Sequence, residues 1–444
     1  MSKIIIAGAG HGGVVTAIKL ASEGHDVTII EKRSQGYVGL PQSDVAEKSA
    51  FTYADIPLPD EYKTVRNVIT FIPKEKETAP LTIPAMDAES ILVDRNILIN
   101  HLISLAINAG AKIIYETEIL APIILGNRVC GVKTTEENFY CDLVIDACGV
   151  NSPVRNNLPT HLYVNKEIKK YDVIYTYRGY FNKVPGAKEP ETSYNIYLKD
   201  DGYKGFTWLV TEEDRVDVLI GRFYKPDDSE VAEILHNMHL ENPHMGTELL
   251  QCGKYGEIPV SQPLSVLVAD GYAAIGDSAF MTIPLKGSGI AYCIKTGKIL
   301  ADCILNDANG CYTAKNLWEY ERAFFKEMGF PICRMAILKN LLHYMTAQEI
   351  NDLFAQNLVT TDEIAKIMNE KLDAVLNSKG FTTVKDKVKL VRDNPLLKEM
   401  LTNTALWMGR LAVIETGFPN KYNEEDIKKW SEKYNDFFDS IRAE

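Results

Sequence analysis

The beginning of the chain alternates apolar runs with a helical pattern. Residues 3–7 form a β-branched apolar run, which predicts a strand buried on both faces. Apolar residues then recur at helical spacing from Val14 to Ala21, and the pattern ends near Gly24. A second run, 26–30, predicts another buried strand. This order of strand, helix and strand predicts an α/β unit.

The link between the first strand and the helix is rich in glycine. Gly8, Gly10 and Gly13 match the pattern G-x-G-x-x-G. In such a loop the first glycine permits a tight turn, the second lets the backbone approach a pyrophosphate, and the third lets helix and strand pack closely. The helix N-terminus offers N–H groups and a positive dipole end to the phosphates. We therefore predict a dinucleotide site, with a glycine turn of an unrelated α/β unit as the alternative.

The second strand ends at an acidic residue. Glu31 is placed to accept hydrogen bonds from both ribose hydroxyls of an adenosine, whereas a 2′-phosphate there would be repelled by its charge. We include the neighbouring Lys32 among the candidate cofactor-binding residues. NAD and FAD both bind to units of this kind, so these residues leave the choice between them open.

Two later segments are typical of the same domain. Residues 142–155 contain a buried strand that ends in a turn of small residues, and residues 271–279 contain another strand that ends in Gly-Asp. A glycine-containing loop, 284–290, follows and opens a helix.

Together with the glycine loop and Glu31, these segments resemble the flavoprotein superfamily of p-hydroxybenzoate hydroxylase, and within it the geranylgeranyl reductase family. The run 256–277 is particularly similar to the reductases, and 205–210 is similar to their aromatic-x-Trp segment without its closing Phe-Pro. The resemblance covers about residues 1–325. It implies FAD as the cofactor, while NAD(P)H is a candidate reductant.

The resemblance also implies roles for single residues. Asp277 would hydrogen-bond a ribityl hydroxyl, Arg95 would contact the phosphate or ribityl region, and the backbone at Ile119 would meet the adenine. Trp208 is expected to pack in the substrate sheet and to line the substrate pocket. The start of the late helix would face the pyrophosphate and the isoalloxazine ring, at Gly287, Gly289 and Ile290.

The predicted fold class is α/β, with a Rossmann-like FAD-binding domain, an inserted antiparallel β-sheet substrate domain and a C-terminal helical region. The FAD-binding domain is discontinuous, covering 1–160 and 256–310; the substrate domain covers 161–255, and the helical region covers 311–444. The stretch 40–92, rich in proline and aromatic residues, is expected to contribute to the substrate cavity.

Finer patterns predict elements within these domains. In the substrate domain, alternating residues predict strands over 172–177, 194–198 and 217–221, with a turn at 200–202. In the C-terminal region, helical spacing predicts helices over 317–330, 331–345, 363–376 and 395–411. Their methionine and aromatic residues predict ordinary core, with a wall of a lipid-sized cavity or a membrane-touching face as the alternative.

Composition restricts the function further. The 444 residues carry a net charge of −12, which argues against general nucleic-acid binding. The 8 cysteines form no C-x-x-C pair, which favours a reducing cytoplasm. No run approaches the ~20 apolar residues of a membrane span, and glycines interrupt the apolar start that would otherwise suggest a signal peptide. No metal-binding motif is present in the sequence.

Three functions follow, in order of preference. The first is flavin-dependent reduction of a carbon–carbon double bond in a hydrophobic, isoprenoid or lipid substrate by hydride transfer. The second is an NAD(P)H- and oxygen-dependent flavin monooxygenase, and the third is a flavin-binding redox sensor without turnover. One departure weakens the first: the family reductases commonly carry a cysteine after the second strand, whereas 34–41 contains none. Lys286 is interpreted as a loop residue beside the pyrophosphate rather than as the lysine of a halogenase.

Overall fold

The computed structural model describes residues 1–64, 68–74, 78–84, 90–164, 168–199, 205–307, 309–368 and 395–441. Among these residues the strands are β1 Lys3–Ala7, β2 Asp26–Ile30, β3 Ser43–Glu47, β4 Lys63–Thr64, β5 Ile69–Pro73, β6 Leu81–Ile83, β7 Ser90–Asp94, β8 Lys112–Ile114, β9 Ile119–Leu125, β10 Arg128–Thr134, β11 Asn138–Tyr140, β12 Leu143–Asp146, β13 Val173–Lys183, β14 Tyr194–Leu198, β15 Gly205–Thr211, β16 Arg215–Arg222, β17 Met245–Pro259, β18 Val268–Ala269 and β19 Tyr272–Ala274. The helices are α1 His11–Ser22, α2 Lys48–Ala54, α3 Arg95–Asn108, α4 Asp228–Glu241, α5 Ile290–Leu305, α6 Ala314–Phe324, α7 Phe330–Tyr344, α8 Ala347–Ala355, α9 Thr361–Met368, α10 Pro395–Thr416 and α11 Glu424–Ser440.

A six-stranded sheet forms the first layer, in the order β18-β19-β12-β1-β2-β8. β1 lies near its centre and pairs in parallel with β2 and with β12. Its residues Ile4, Ile5 and Ile6 are fully buried, because a strand with parallel neighbours and covered faces excludes water from both sides. The predicted strands 3–7 and 26–30 thus lie side by side.

A polar cluster joins the segment 142–155 to the segment 271–279. The carboxylate of Asp146, at the end of β12, accepts hydrogen bonds from the Tyr272 hydroxyl at 2.8 Å and from the Arg155 backbone N–H at 3.2 Å. Nη1 of the buried Arg155 donates to the Ser278 carbonyl at 2.6 Å. Because buried charges require partners, this network fixes the turn after β12 against the turn after β19.

A seven-stranded sheet forms the second layer, in the order β17-β13-β16-β15-β14-β5-β6. Neighbouring strands are antiparallel except β14 and β5, which pair in parallel. One face packs against α4 through residues such as Leu209, Val218 and Ile234. The strands predicted at 172–177 and 217–221 are present but longer, α4 was not predicted, and the turn predicted at 200–202 lies outside the described residues.

The C-terminal region is helical, but its breaks differ from those predicted. A separation was expected before Pro331; instead, a single π-helical segment, Phe325–Gly329, joins α6 to α7. A proline lacks the N–H that continues an α-helical ladder, and the wider turn accommodates this loss without ending the helix. The helix predicted over 363–376 is present as α9, and residues 369–376 lie outside the described part of the chain.

The predicted fold class is confirmed: a parallel α/β layer, a largely antiparallel sheet and C-terminal helices. Within the described ranges, none of the helices combines the length and the apolar character needed to cross a membrane.

Candidate cofactor site and active site

A cavity lies where the glycine loop, the turn after β12 and the turn after β19 meet. Parallel strands present their carboxyl ends at one edge of the sheet, which is where open α/β sheets bind ligands. The structure places six of the predicted cofactor-binding residues in the cavity wall, namely Gly10, Arg95, Asp277, Gly287, Gly289 and Ile290.

The glycine loop is packed tightly against the end of β12. Gly8 has φ +81°, a left-handed conformation that favours glycine. A Cβ atom at Gly10 would lie 2.8 Å from the carbonyl oxygen of Ala147, and one at Gly13 would lie 2.7 Å from the Cβ of Ala147. Glycine at positions 10 and 13 therefore permits the close approach of loop and strand.

Two helix N-termini border the cavity. α1 begins at His11 after Gly10, and α5 begins at Ile290 after Gly289. Neither capping glycine can supply a side-chain acceptor, so the first N–H groups of both helices stay available to a ligand. Two positive dipole ends at one cavity are suited to an anionic group such as a pyrophosphate.

Asp277 lies in the turn after β19. The Thr282 hydroxyl donates to its Oδ1 atom at 2.9 Å. Burial raises the pKa of Asp277, and the hydrogen bond from Thr282 and the charge of Arg95 oppose this shift only in part. The side chain is thus a buried, oriented hydrogen-bonding group in the cavity wall.

His11 is a cavity residue that the sequence interpretation missed. Its Nε2 atom is buried and has no hydrogen-bond partner among the residues that the structure describes. Burial lowers the pKa of His11 to about 4, with a further lowering by Arg95 and a partial opposition by Asp44, so the imidazole is neutral at pH 7. The sequence did offer a sign of this role, because His11 occupies one of the variable positions of the G-x-G-x-x-G pattern.

Glu31, Lys32 and Ile119 lie apart from the cavity wall. The Glu31 carboxylate accepts hydrogen bonds from the backbone N–H groups of Ala9 and Arg33, both at 2.9 Å. Lys32 is exposed, and its Nζ lies 4.0 Å from a carboxylate oxygen of Glu118, the residue before Ile119. The three predicted residues thus lie near one another, outside the cavity. Gly8 and Gly13 are also outside the cavity wall, and they pack against Ala147 at the end of β12.

The second sheet carries Trp208 on the face opposite α4. Leu209, the next residue of β15, packs with α4. Because successive side chains of a strand point to opposite faces of the sheet, Trp208 lies on the other face. The centre of the Arg178 guanidinium lies 5.2 Å from the Trp208 ring, and Tyr194 contacts that ring edge-on at 5.8 Å. Nε1 of Trp208 is buried without a hydrogen-bond partner in the described part of the chain. Trp208 does not line the cavity itself.

The fold and the cavity define a class of protein. Residues 1–321 match the family described as FAD binding domain, and the chain belongs to this family. Its cofactor is FAD, and the protein is an FAD-dependent oxidoreductase. The paired helix N-termini, the glycines without a Cβ and the buried Asp277 fit the pyrophosphate and polyol of this cofactor.

Within this class, the chain is similar to the digeranylgeranylglycerophospholipid reductase of Sulfolobus acidocaldarius, with 21% identity over 90% of this chain and 92% of the relative. A solved structure described as a geranylgeranyl bacteriochlorophyll reductase-like protein from Thermoplasma acidophilum superposes with a TM-score of 0.70 at 20% identity, covering 88% of this chain and 99% of that one. A probable FAD-dependent monooxygenase from Pseudomonas aeruginosa superposes with a TM-score of 0.58 at 18% identity, covering 80% and 99%. The predicted resemblance to geranylgeranyl reductases is confirmed.

Proposed function

We propose that this protein reduces a carbon–carbon double bond of a hydrophobic isoprenoid or lipid substrate. The observation that carries the proposal is the similarity to a digeranylgeranylglycerophospholipid reductase, which continues beyond the FAD-binding domain and covers 90% of this chain. The second sheet and much of the helical region therefore share in that similarity. We infer that these parts of the fold select the substrate.

The chain's own residues hold the cofactor. We infer that the N-termini of α1 and α5 bind the pyrophosphate, that Asp277 hydrogen-bonds the ribityl chain, and that Arg95 adds a cation beside it. Glu31, with Lys32 and Ile119 near it, lies on the side suited to the adenosine. When bound, FAD supplies the hydride for the substrate's double bond.

The cavity-side face of the second sheet is the proposed substrate wall. Arg178, Tyr180 and Trp208 lie on this face. Arg178 donates a hydrogen bond to Asp44 at 3.0 Å, and Asp44 in turn accepts one from Arg95 of the cofactor cavity. Aromatic rings beside the cofactor exclude water from the reacting double bond and orient a flat, apolar group. The single proton that completes the reduction after hydride transfer comes from an acid or from water, and we assign it to no residue.

The proposal is tested with the purified protein, without oxygen, in the presence of NAD(P)H and a digeranylgeranylglycerophospholipid. We expect the flavin absorbance to bleach on addition of the reductant and to return with the lipid, and mass spectrometry to detect hydrogen added across a double bond. A product with an added oxygen atom, formed only in air, would identify a monooxygenase and overturn the proposal. Bound FAD that turns over under neither condition would instead support the redox-sensor function.

We further propose that NAD(P)H is the electron donor. We also propose that the protein is cytoplasmic and contacts the membrane in which its substrate lies. Each of the eight cysteines is free, which suits a reducing compartment. Leu406 and Val413 on α10 are 60% and 73% exposed, and they lie two turns apart on the same side of the helix. Co-sedimentation with vesicles, compared between the native chain and Leu406→Ser with Val413→Ser, measures whether α10 makes this contact.

A further inference from the structure

Four charged side chains connect the cofactor cavity to the second sheet. Arg95 lines the cavity, and its Nε atom donates to Oδ2 of Asp44. Oδ1 of Asp44 accepts a hydrogen bond from Nη1 of Arg178 at 3.0 Å. Arg178 also forms a bidentate pair with Asp217, at 2.9 and 2.6 Å. We call Arg95, Asp44, Arg178 and Asp217 the charge ladder; its charges alternate in sign from the cavity to the sheet.

The charge ladder is largely withdrawn from water. The side chains of Arg178 and Asp217 are 6% and 4% exposed, and that of Asp44 is 19% exposed. Burial would raise the pKa of Asp44, but the charges and hydrogen bonds of Arg95 and Arg178 outweigh it and hold that pKa below its ordinary value. Asp44 is thus an anion that bridges two guanidinium groups. Removing one member leaves its neighbours with uncompensated charge.

The position of Asp44 is itself fixed from both layers. The backbone N–H of Ser43 donates to the Tyr180 hydroxyl at 2.9 Å, and Nη2 of Arg178 donates to the Ser43 carbonyl at 2.8 Å. On the other side, the backbone N–H of Arg95 donates to the Gln42 carbonyl at 2.8 Å. Since the guanidinium group is planar and Nε is committed to Asp44, the carboxylate sets the plane of the Arg95 side chain.

We propose that Asp44 is a positioning residue for the cofactor site, which orients the Arg95 guanidinium in the cavity wall and ties it through Arg178 to the second sheet. This inference rests on the proposed contact between Arg95 and FAD. No covalent or redox step is assigned to Asp44; it acts on the cofactor through Arg95.

The direction of the effect follows from two opposed contributions. An anion near the pyrophosphate repels it, but the charge of Asp44 is already compensated by two guanidinium groups. The loss of a fixed charge-assisted hydrogen bond therefore dominates, and it leaves Arg95 without a set orientation. We expect Asp44→Asn to raise the dissociation constant of FAD about tenfold, which corresponds to ~1.4 kcal/mol.

The test is a double-mutant cycle on FAD affinity, measured by titration of the purified apoprotein with FAD. If Asp44 acts through Arg95, Asp44→Asn weakens binding in the native background but has little further effect in Arg95→Met. Asp26→Asn is the matched control, because Asp26 pairs with an exposed Lys112 at 2.8 Å at the far edge of the first sheet. We expect that control to bind FAD as the native chain does.

Each outcome separates this inference from the proposed function. If the native chain binds no FAD, the cofactor site itself is wrong. If Arg95→Met binds FAD with native affinity, the proposed contact between Arg95 and FAD is wrong, and so is the positioning role of Asp44. If both variants weaken binding additively, Asp44 is merely structural and only the positioning role is overturned. Should Asp44→Asn not fold, Asp44→Glu keeps the charge and displaces it by one methylene, and the same cycle is measured with that variant.

Discussion

At the scale of single residues, Asp277 is the most direct test of the cofactor site. Its carboxylate is buried in the cavity wall and held by the Thr282 hydroxyl. Asp277→Ala removes the one or two charge-assisted hydrogen bonds that we propose it makes to the cofactor, each worth ~1.5–3 kcal/mol. We therefore expect the dissociation constant of FAD to rise at least tenfold. Asp55→Ala, on a side chain that is 73% exposed, serves as the control. Equal FAD affinities of the two variants would remove Asp277 from the site.

Trp208 is outside the cofactor cavity, and we have proposed that it belongs to the substrate wall. Its ring lies against Arg178 and Tyr194, away from the glycine loop. We expect Trp208→Phe to retain native FAD content and to raise KM more than it lowers kcat, because a smaller ring contacts the substrate less in both ground and transition states. Steady-state kinetics with the lipid substrate measure this split. Tyr140→Phe, at an exposed residue, is the control. A loss of FAD from Trp208→Phe would contradict the position of Trp208 outside the cofactor site.

At the scale of elements, α6 carries a buried acid in the contact with the first sheet. Oε2 of Glu321 accepts a hydrogen bond from the Leu267 backbone at 2.9 Å, and Oε1 has no partner within the described ranges. Burial raises the pKa of Glu321 from 4.5 to about 8, against the opposing hydrogen bonds of Leu267 and Val268. The folded chain therefore binds a proton more tightly than the unfolded chain does.

The sign of the pH dependence follows from this difference. The stabilising contribution of Glu321 is complete below about pH 4.5 and is lost as the pH rises through the folded pKa near 8. We expect Glu321→Gln to gain stability relative to the native chain between pH 5 and pH 9, as measured by thermal unfolding of both proteins at the two pH values. Glu319 is an exposed residue of the same helix, and Glu319→Gln is the control. Its stability should change between the two pH values as much as that of the native chain. A pH-independent difference for Glu321→Gln would contradict the buried titration.

The elements also indicate what could be inferred from the chain beforehand. β1, α1 and β2 were predictable because continuous apolar runs and the helical spacing of apolar residues are local properties of the chain. The helix α4 was missed although Val231, Ile234 and Met238 share one buried face, because strands on both sides dominated the pattern. His11 and the ladder residue Asp44 depend on contacts between distant segments, which spacing along the chain does not encode.

At the scale of the whole molecule, the cofactor cavity is built from three stretches far apart in sequence. A ligand that binds only the assembled fold stabilises it by mass action, by ~2.7 kcal/mol at a hundredfold excess over its dissociation constant. We therefore expect FAD to raise the Tm of the apoprotein. We expect FMN to raise it less, because FMN lacks the adenosine half that we propose for the side of Glu31. Differential scanning fluorimetry measures both shifts. A Tm that FAD leaves unchanged would contradict the assembly of this site.

The pairing of the first sheet has a consequence for synthesis in the cell. β1 lies between β2, which emerges soon after it, and β12, whose Leu143 aligns with Ile4. β12 in turn pairs with β19, where Val144 aligns with Tyr272. A nascent chain thus leaves the ribosome with an apolar edge at β1 that stays unpaired until β12 has been made. The outer edge of β12 then stays unpaired until β19 has been made, when more than half of the polypeptide is complete. We therefore expect fragments that end before β19 to aggregate rather than to bind flavin.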